Sequence, residues 1–190
     1  MEFNLYASSL NDVINKIDPN EINLLFNVII ESYNNDNTVF VIGNGGSAAN
    51  ASHFAQDLAK GTRLNLEQKK RIKALSLTDN LPFFSALAND DGYDVVFEQQ
   101  LRTFANPGDL LIAISGSGNS SNIIKAVDWA NKNNLRTFGV TGFDGGKLRK
   151  LAHNTLHIPL NDMCTSESIH SILFHYIILE LQEYIKNYHK

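Results

Sequence analysis

The chain has 190 residues, 43% of them hydrophobic and 19% charged, which is typical of one globular domain with a substantial core. A net charge of −4 and the lack of a lysine–arginine cluster argue against nucleic-acid binding. No apolar run reaches the roughly 18 residues of a membrane span, so we expect no membrane binding. The N-terminus lacks the pattern of a secretory signal and the single cysteine rules out an internal disulfide, which together predict a cytoplasmic protein.

Helical and strand-like segments alternate along the chain after an N-terminal helical region. Residues 9–34 carry apolar side chains at helical spacing and are interrupted by Pro19, which predicts two helices. Apolar runs predict strands over residues 38–43, 72–77, 109–115, 137–141 and 155–160. Further helices are predicted over residues 81–104, 119–133, 145–152 and 165–188.

This alternation predicts the fold class. Strands that are apolar nearly throughout, and that helices connect, indicate a parallel sheet covered on both faces. We therefore expect one doubly wound α/β domain with a parallel five-stranded sheet. Ligands of such sheets bind at the carboxyl ends of the strands, and polar loops follow the predicted strands at Gly43–Ser47, Ser76–Asp79, Ser115–Ser121 and Thr141–Gly146.

The elbow after the first strand has the pattern of an anion site. In Gly43-Asn-Gly-Gly-Ser47 the glycines permit positive φ angles and let the backbone approach a ligand. We expect Ser47 to cap the next helix, whose free N–H groups suit a phosphate. His53 and Asp57 follow on that helix four residues apart, so they face one way and form a candidate metal or acid–base pair.

A second polar loop, Ser115-Gly-Ser-Gly-Asn-Ser120, also follows a strand and precedes a helix. Its hydroxyls and backbone N–H groups offer several donors to one small anion. The loop has neither the Walker pattern nor the dinucleotide fingerprint. A flexible turn with helix-capping serines is the alternative interpretation.

The two loops together resemble those of the SIS (sugar isomerase) domain family, and more narrowly its phosphoheptose isomerase branch. The matching pieces cover nearly the whole chain in the family's order: Gly43–Ala49, His53–Ala55, Ala88–Asp90, Ile114–Ser120, Thr141–Gly142 and Ile169–His175. The resemblance implies an aldose–ketose isomerase that interconverts sedoheptulose 7-phosphate and D-glycero-D-manno-heptose 7-phosphate for lipopolysaccharide or capsule precursors. It also implies a homotetramer with sites at subunit interfaces, in which residues 1–35 pack between subunits and residues 36–190 form the α/β core.

The resemblance also assigns substrate-binding residues. The loop after the third strand would hold the sugar phosphate, through Ser115, Gly116, Ser117 and Ser120. The sugar would be lined by Asn44, Gly45, Gly46, Ser47, Asn89, Asp90 and Glu167. Asn89 and Asp90 have a second interpretation, since they could instead turn the chain before Asp91-Gly92.

The family's metal and acid–base residues map onto His53, Asp57, Glu167 and His175. Aspartate replaces the family's glutamate and glutamate replaces its glutamine, but two imidazoles and two carboxylates still suit zinc. Asp57 and His175 would be the catalytic pair. Taken singly, each of these side chains could be structural. We expect His170 to be structural and Cys164 to have no role in catalysis. The family's next basic position is Gly61, for which Lys60 or Arg63 could substitute.

The spacing within this set raises a geometric difficulty. Glu167 and His175 are eight residues apart, roughly 12 Å along a regular helix, so one metal ion cannot easily contact both. Either Glu167 precedes the regular helix, or the site is shared between protomers.

Two other functions stay open at this point. One is a non-catalytic SIS module that binds a replication-initiator protein. The other is a sugar-phosphate-sensing regulator, although no separate DNA-binding segment is found in the sequence. Asp57 favours the enzyme, because the initiator-associating relatives lack a carboxylate after His-Phe-Ala.

Overall fold

A computed structural model describes residues 2–188. Its centre is a parallel sheet of five strands: β1 (Thr38–Gly43), β2 (Lys73–Ser76), β3 (Leu110–Ser115), β4 (Arg136–Thr141) and β5 (Asn154–His157). The strand order is β2-β1-β3-β4-β5, so the chain reverses direction across the sheet between β1 and β3. This confirms the predicted doubly wound α/β fold. Gly43 pairs with Ile114 and Ser115 pairs with Thr141, which places the loops after β1, β3 and β4 side by side.

Helices cover both faces of the sheet. They are α1 (Phe3–Ile14), α2 (Pro19–Asn34), α3 (Gly46–Gln56), α4 (Leu81–Asp90), α5 (Val96–Phe104), α6 (Ser121–Lys132), α7 (Leu148–Leu151) and α8 (Met163–Tyr188). Within residues 2–188 no helix is both long enough and apolar enough to cross a membrane.

Two hydrophobic layers enclose the sheet, because successive side chains of a strand point to opposite faces. Val39 and Val41 of β1 join a layer with apolar residues of α2, α3 and α8. Phe40 and Ile42 of the same strand join the other layer, with residues of α5, α6 and α7. In the first layer the rings of Phe54 and Phe174 stack with centroids 4.2 Å apart, which joins α3 to α8. Both helices carry predicted site residues, so this contact fixes the site's geometry.

Three predicted helix or strand boundaries were wrong. The helix predicted over residues 81–104 is interrupted after Asp90, because Gly92 adopts a φ of 104° and a 3-10 turn follows over Tyr93–Val95. The helix predicted over residues 145–152 is the short α7. The strand predicted to reach residue 160 ends at His157, two residues before Pro159, which has no N–H group for a sheet ladder.

Candidate active site

A cleft of about 260 Å³ opens at the carboxyl ends of β1 and β3. Both predicted loops contribute to it, and so does the first turn of α8. Its lining consists of Asn44, Gly45, Gly46, Ser47, Ile114, Ser115, Ser117, Ser120, Met163 and Glu167. Eight of these ten residues were predicted as site residues; Ile114 and Met163 were not. Met163 carries no chemical signal in the sequence, and it reaches the cleft because α8 begins there.

The elbow after β1 turns through Gly45, whose φ of 55° is costly for a residue with a Cβ atom. Gly45 is the N-cap of α3 and provides no side-chain cap. The expectation that Ser47 caps this helix was therefore wrong. The helix begins at Gly46, so Ser47 lies inside its first turn, where it is buried and lines the cleft.

The serine loop surrounds the other side of the cleft. Ser115 is the buried last residue of β3, and the N–H of Gly118 donates to its carbonyl oxygen over 3.0 Å. Ser120 is the N-cap of α6, yet its hydroxyl makes no capping hydrogen bond. Helix capping is thus not what this serine does. The Ser120 hydroxyl and the N–H groups at the start of α6, other than that of Ile123, which donates to Asn122 Oδ1, are available to an anion.

The second cluster joins His53, Asp57 and His175. Asp57 Oδ2 lies 3.3 Å from His53 Nε2 and 3.8 Å from His175 Nε2. The two imidazole rings meet edge to face with centroids 5.0 Å apart. One potential ligand atom from each residue lies within 4.8 Å of the others. Both histidines are about half exposed, so the cluster is open to a ligand or a protein surface.

A change in helix geometry places the carboxylate of Asp57. Helix α3 ends at Gln56, and a π-helical turn runs from Asp57 to Gly61. Such turns are rare and are frequently found at functional sites. The carbonyl oxygen of Gly61 accepts a 2.9 Å hydrogen bond from Gln182 Nε2, which fastens the turn to α8. Neither Lys60 nor Arg63 is among the residues that line the cleft or the cluster.

Glu167 belongs to the cleft and stands apart from the three clustered residues. It lies inside α8, so the first way around the spacing difficulty, a Glu167 before the regular helix, does not hold. Its carboxylate lies against Gly46, where a Cβ atom would overlap it. Asn50 lies between the cluster and the cleft: it lines the cluster, and its Nδ2 donates to the backbone oxygen of Glu167 over 3.0 Å.

Asn89 and Asp90 end helix α4 and are not among the residues that line the cleft. Asn89 Nδ2 donates to Asp90 Oδ1 over 2.7 Å. In a single subunit they therefore lie at the end of α4, just before the turn at Gly92 and outside the cleft.

His170 is fully buried next to the site, and burial lowers its pKa to about 4. Its Nε2 lies 3.3 Å from the carbonyl oxygen of Thr141, to which it donates when neutral. His157, on the other side of Thr141, also has a lowered pKa, chiefly because of burial. The neutral His170 holds the end of β4 against α8, in agreement with the structural role expected for it.

The donor set of the cluster fits a divalent metal ion. Two imidazole nitrogens and one carboxylate oxygen are a common protein ligand set for catalytic zinc, with a further position left for substrate or water. One such donor atom from each of the three residues lies within 4.8 Å of the others, before any ion is bound.

Comparisons with known proteins agree with this geometry. Residues 2–142 match the family model described as SIS domain. The chain is 40% identical over 154 residues to the phosphoheptose isomerase of Aliarcobacter butzleri, covering 81% of this chain and 79% of that protein. It is 34% identical over 184 residues to the probable phosphoheptose isomerase of Thermoplasma volcanium, covering 97% and 92%. The solved phosphoheptose isomerase GmhA from Neisseria gonorrhoeae superposes with a TM-score of 0.83 at 28% identity, covering 95% of this chain and 98% of that one.

Proposed function

The chain belongs to the SIS-domain family, in its phosphoheptose isomerase branch, and we propose that it interconverts sedoheptulose 7-phosphate and D-glycero-D-manno-heptose 7-phosphate. One observation carries the proposal: a serine-lined anion cleft and an imidazole–carboxylate cluster share the helix pair α3 and α8. A phosphorylated sugar needs both parts, the first to bind its phosphate and the second to move protons between C1 and C2.

The cleft binds the phosphate through neutral donors. Ser115, Ser117 and Ser120 offer hydroxyls, and the first turn of α6 adds N–H groups and the positive end of the helix dipole. Binding energy gained at this remote phosphate positions the reacting carbons. Glu167 lies across the cleft, where its carboxylate accepts hydrogen bonds from sugar hydroxyls.

Asp57 and His175 perform the isomerisation. The Asp57 carboxylate removes a proton from C1 of the open-chain ketose, which gives an enediol, and returns a proton to C2. His175, whose Nε2 lies 3.8 Å from Asp57 Oδ2, moves the proton between the two sugar oxygens through its other ring nitrogen, Nδ1, when Nε2 holds the metal. Removal and return of one proton leave the overall composition of the sugar unchanged, as an isomerase requires.

The metal we propose for the cluster is zinc, held by His53, Asp57 and His175. Bound zinc would supply a Lewis acid for the sugar oxygens of the enediolate. Glu167, the fourth residue expected for this set, would reach the ion only from a neighbouring subunit.

A shared site accounts for this separation. Within one subunit, Glu167 and His175 lie eight residues apart on α8, roughly 12 Å. Beside His175 the same helix exposes the apolar side chains of Ile172, Tyr176 and Leu179, and α1 exposes Phe3 and Leu5. Exposed apolar surface of this kind marks protein interfaces. We therefore place the active sites between subunits of a homotetramer, packed through α8 and the N-terminal helices.

The test is a turnover assay in solution. The purified protein is incubated with sedoheptulose 7-phosphate in D₂O, with added zinc and after chelation, and the sugar is followed by NMR. We expect an aldose product that carries deuterium at C2, and a loss of the reaction on chelation. No product in the zinc-loaded sample would overturn the proposed function. In the cell, the product would feed lipopolysaccharide or capsule synthesis from the cytoplasm.

A further inference from the structure

The side chain of Asn44 is held on two sides at the rim of the cleft. Its Oδ1 lies 2.8 Å from the hydroxyl of Tyr93 and 3.0 Å from Asn122 Nδ2. Its Nδ2 lies 2.8 Å from Asn122 Oδ1. Asn122 is 1% exposed and is not among the residues that line the cleft, so it holds Asn44 from the protein interior. Neither Asn122 nor Tyr93 was among the residues that the sequence predicted for the site.

A backbone group fixes the direction of every hydrogen bond in this set. The N–H of Ile123 can only donate, and it lies 2.9 Å from one end of the Asn122 amide, which must therefore be the oxygen. That oxygen also faces Asn44, so the facing atom of Asn44 must be its nitrogen. The Asn44 oxygen then accepts from Asn122, and the Tyr93 hydroxyl must donate to it.

These hydrogen-bond directions leave the side chain of Asn44 with a single free hydrogen-bonding group. A carboxamide oxygen has two lone pairs and its nitrogen two hydrogens. Tyr93 and Asn122 occupy both lone pairs, and Asn122 takes one of the two hydrogens. The remaining N–H belongs to a residue that lines the cleft beside the serine loop. Asn44 thus presents a donor and no acceptor to a bound molecule.

Tyr93 is itself held by two neighbouring elements. It follows Gly92 on the 3-10 turn, and its ring packs edge to face on Phe84 with centroids 5.8 Å apart. The next residue, Asp94, forms an ion pair with Lys125 of α6. This ion pair links the turn to the same helix that carries Asn122.

We infer that Tyr93 and Asn122 are positioning residues that orient Asn44 as a one-proton donor to an oxygen of the sugar part of the substrate. This inference rests on the proposed function, since it names how that site distinguishes a sugar phosphate from a bare anion. The phosphate is bound by the serine loop, and the Asn44 contact adds to it only when a sugar is attached.

The test compares Tyr93→Phe with Tyr184→Phe, which removes a hydroxyl far from the cleft. We measure kcat and KM for sedoheptulose 7-phosphate, its affinity by calorimetry, and the competitive inhibition constant of inorganic phosphate. We expect Tyr93→Phe to lower kcat/KM about tenfold, as the loss of one oriented hydrogen bond implies, and to leave the phosphate constant and the melting temperature unchanged. Tyr184→Phe should change none of them.

Two results would overturn the inference while the proposed function stands: an unchanged kcat/KM in Tyr93→Phe, or an equal weakening of inorganic phosphate, which would show general loosening of the cleft. A wild-type protein that binds the sugar phosphate without turnover would contradict the proposed function alone, and the calorimetric comparison would still decide the role of Tyr93. Asn122→Asp gives a second test of the inference. The oxygen that replaces Asn122 Nδ2 would face the Asn44 oxygen, so this variant should weaken sugar binding more than Tyr93→Phe does.

Discussion

The carboxylate of Glu167 occupies the space that a side chain at Gly46 would fill. Gly46 is the first residue of α3 and Glu167 lies in α8, so this contact joins the glycine elbow to the C-terminal helix at the cleft. The elbow has no side chain at this point, and the carboxylate can therefore lie close to the backbone.

Gly46→Ala should move Glu167 out of the cleft without unfolding the protein. The overlap is with the end of a flexible side chain, and alanine favours a helical position more than glycine does. We expect the melting temperature to be unchanged or higher and kcat/KM to fall about tenfold, the cost of one charge-assisted hydrogen bond. In a Glu167→Ala background the same substitution should have no further effect. Additive losses in the double variant would contradict the contact.

Asp57→Asn should abolish isomerisation and leave sugar-phosphate binding in place. The amide keeps the shape of the side chain but cannot accept the proton from carbon, so kcat should fall by about 10² to 10⁴. Single-turnover NMR and calorimetry measure the two effects separately. Asp128→Asn, an exposed substitution on α6, is the matched control. Turnover at the wild-type rate in Asp57→Asn would remove this carboxylate from the mechanism.

Zinc should bind once per subunit and should depend on the three clustered residues. We expect His53→Gln and His175→Gln each to weaken binding by at least tenfold, because each removes one of the three donors. His153→Gln, which changes a histidine that contacts Thr137, should bind zinc normally. Metal analysis after dialysis and calorimetry with zinc provide the measurement. Equal affinity in all three variants would contradict the site.

A shared active site predicts that two inactive variants restore each other. We propose to mix Asp57→Asn, which has an intact cleft, with Ser117→Leu, which has an intact cluster. Random assembly through a symmetric interface should recover about one quarter of wild-type activity, since a quarter of the sites combine an intact cleft with an intact cluster. The mixture is refolded or coexpressed and then assayed. No recovery, in mixed oligomers verified by mass spectrometry, would show that each site is built within one subunit.

The free energy of unfolding should decrease as the pH is lowered, because of His170. Its pKa is about 4 in the folded protein and 6.5 when unfolded, so the unfolded chain binds more protons between these values and acid favours it. From pH 7 to pH 5 this group should remove about 2 kcal/mol of the free energy of unfolding. Urea unfolding at both values measures the loss. His170→Gln cannot titrate and should lose less on acidification, whereas an equal loss would assign the effect to other groups.

The sequence predicted the sheet and the cleft well for a physical reason. Buried parallel strands must be apolar, and polar loops at their carboxyl ends must converge, so Gly43–Ser47 and Ser115–Ser120 could be placed together without coordinates. The family resemblance then brought His53, Asp57 and His175 to one place. Proximity of these three residues followed from the packing of Phe54 on Phe174, which helical spacing alone does not determine.

What the sequence could not predict depends on backbone detail. Ser47 was expected to cap α3 because serine is a common cap, but Gly45 with its positive φ starts the helix earlier. The π-helical turn at Asp57 has no sequence pattern of its own. The roles of Asn122 and Tyr93 depend on atom-level donor and acceptor directions across three separate elements, and no spacing rule reports those.

The polarity of the Asn44 amide is set by a main-chain donor at Ile123, and main-chain groups are common to nearly all residue types. The side chain at position 123 can therefore change to suit the packing of the hydrophobic layer, while the backbone N–H still donates to Asn122 and fixes the orientation of the Asn44 amide. Only proline, which lacks this hydrogen, would erase it. The hydrogen-bonding direction of Asn44 therefore does not depend on which side chain the core requires at position 123.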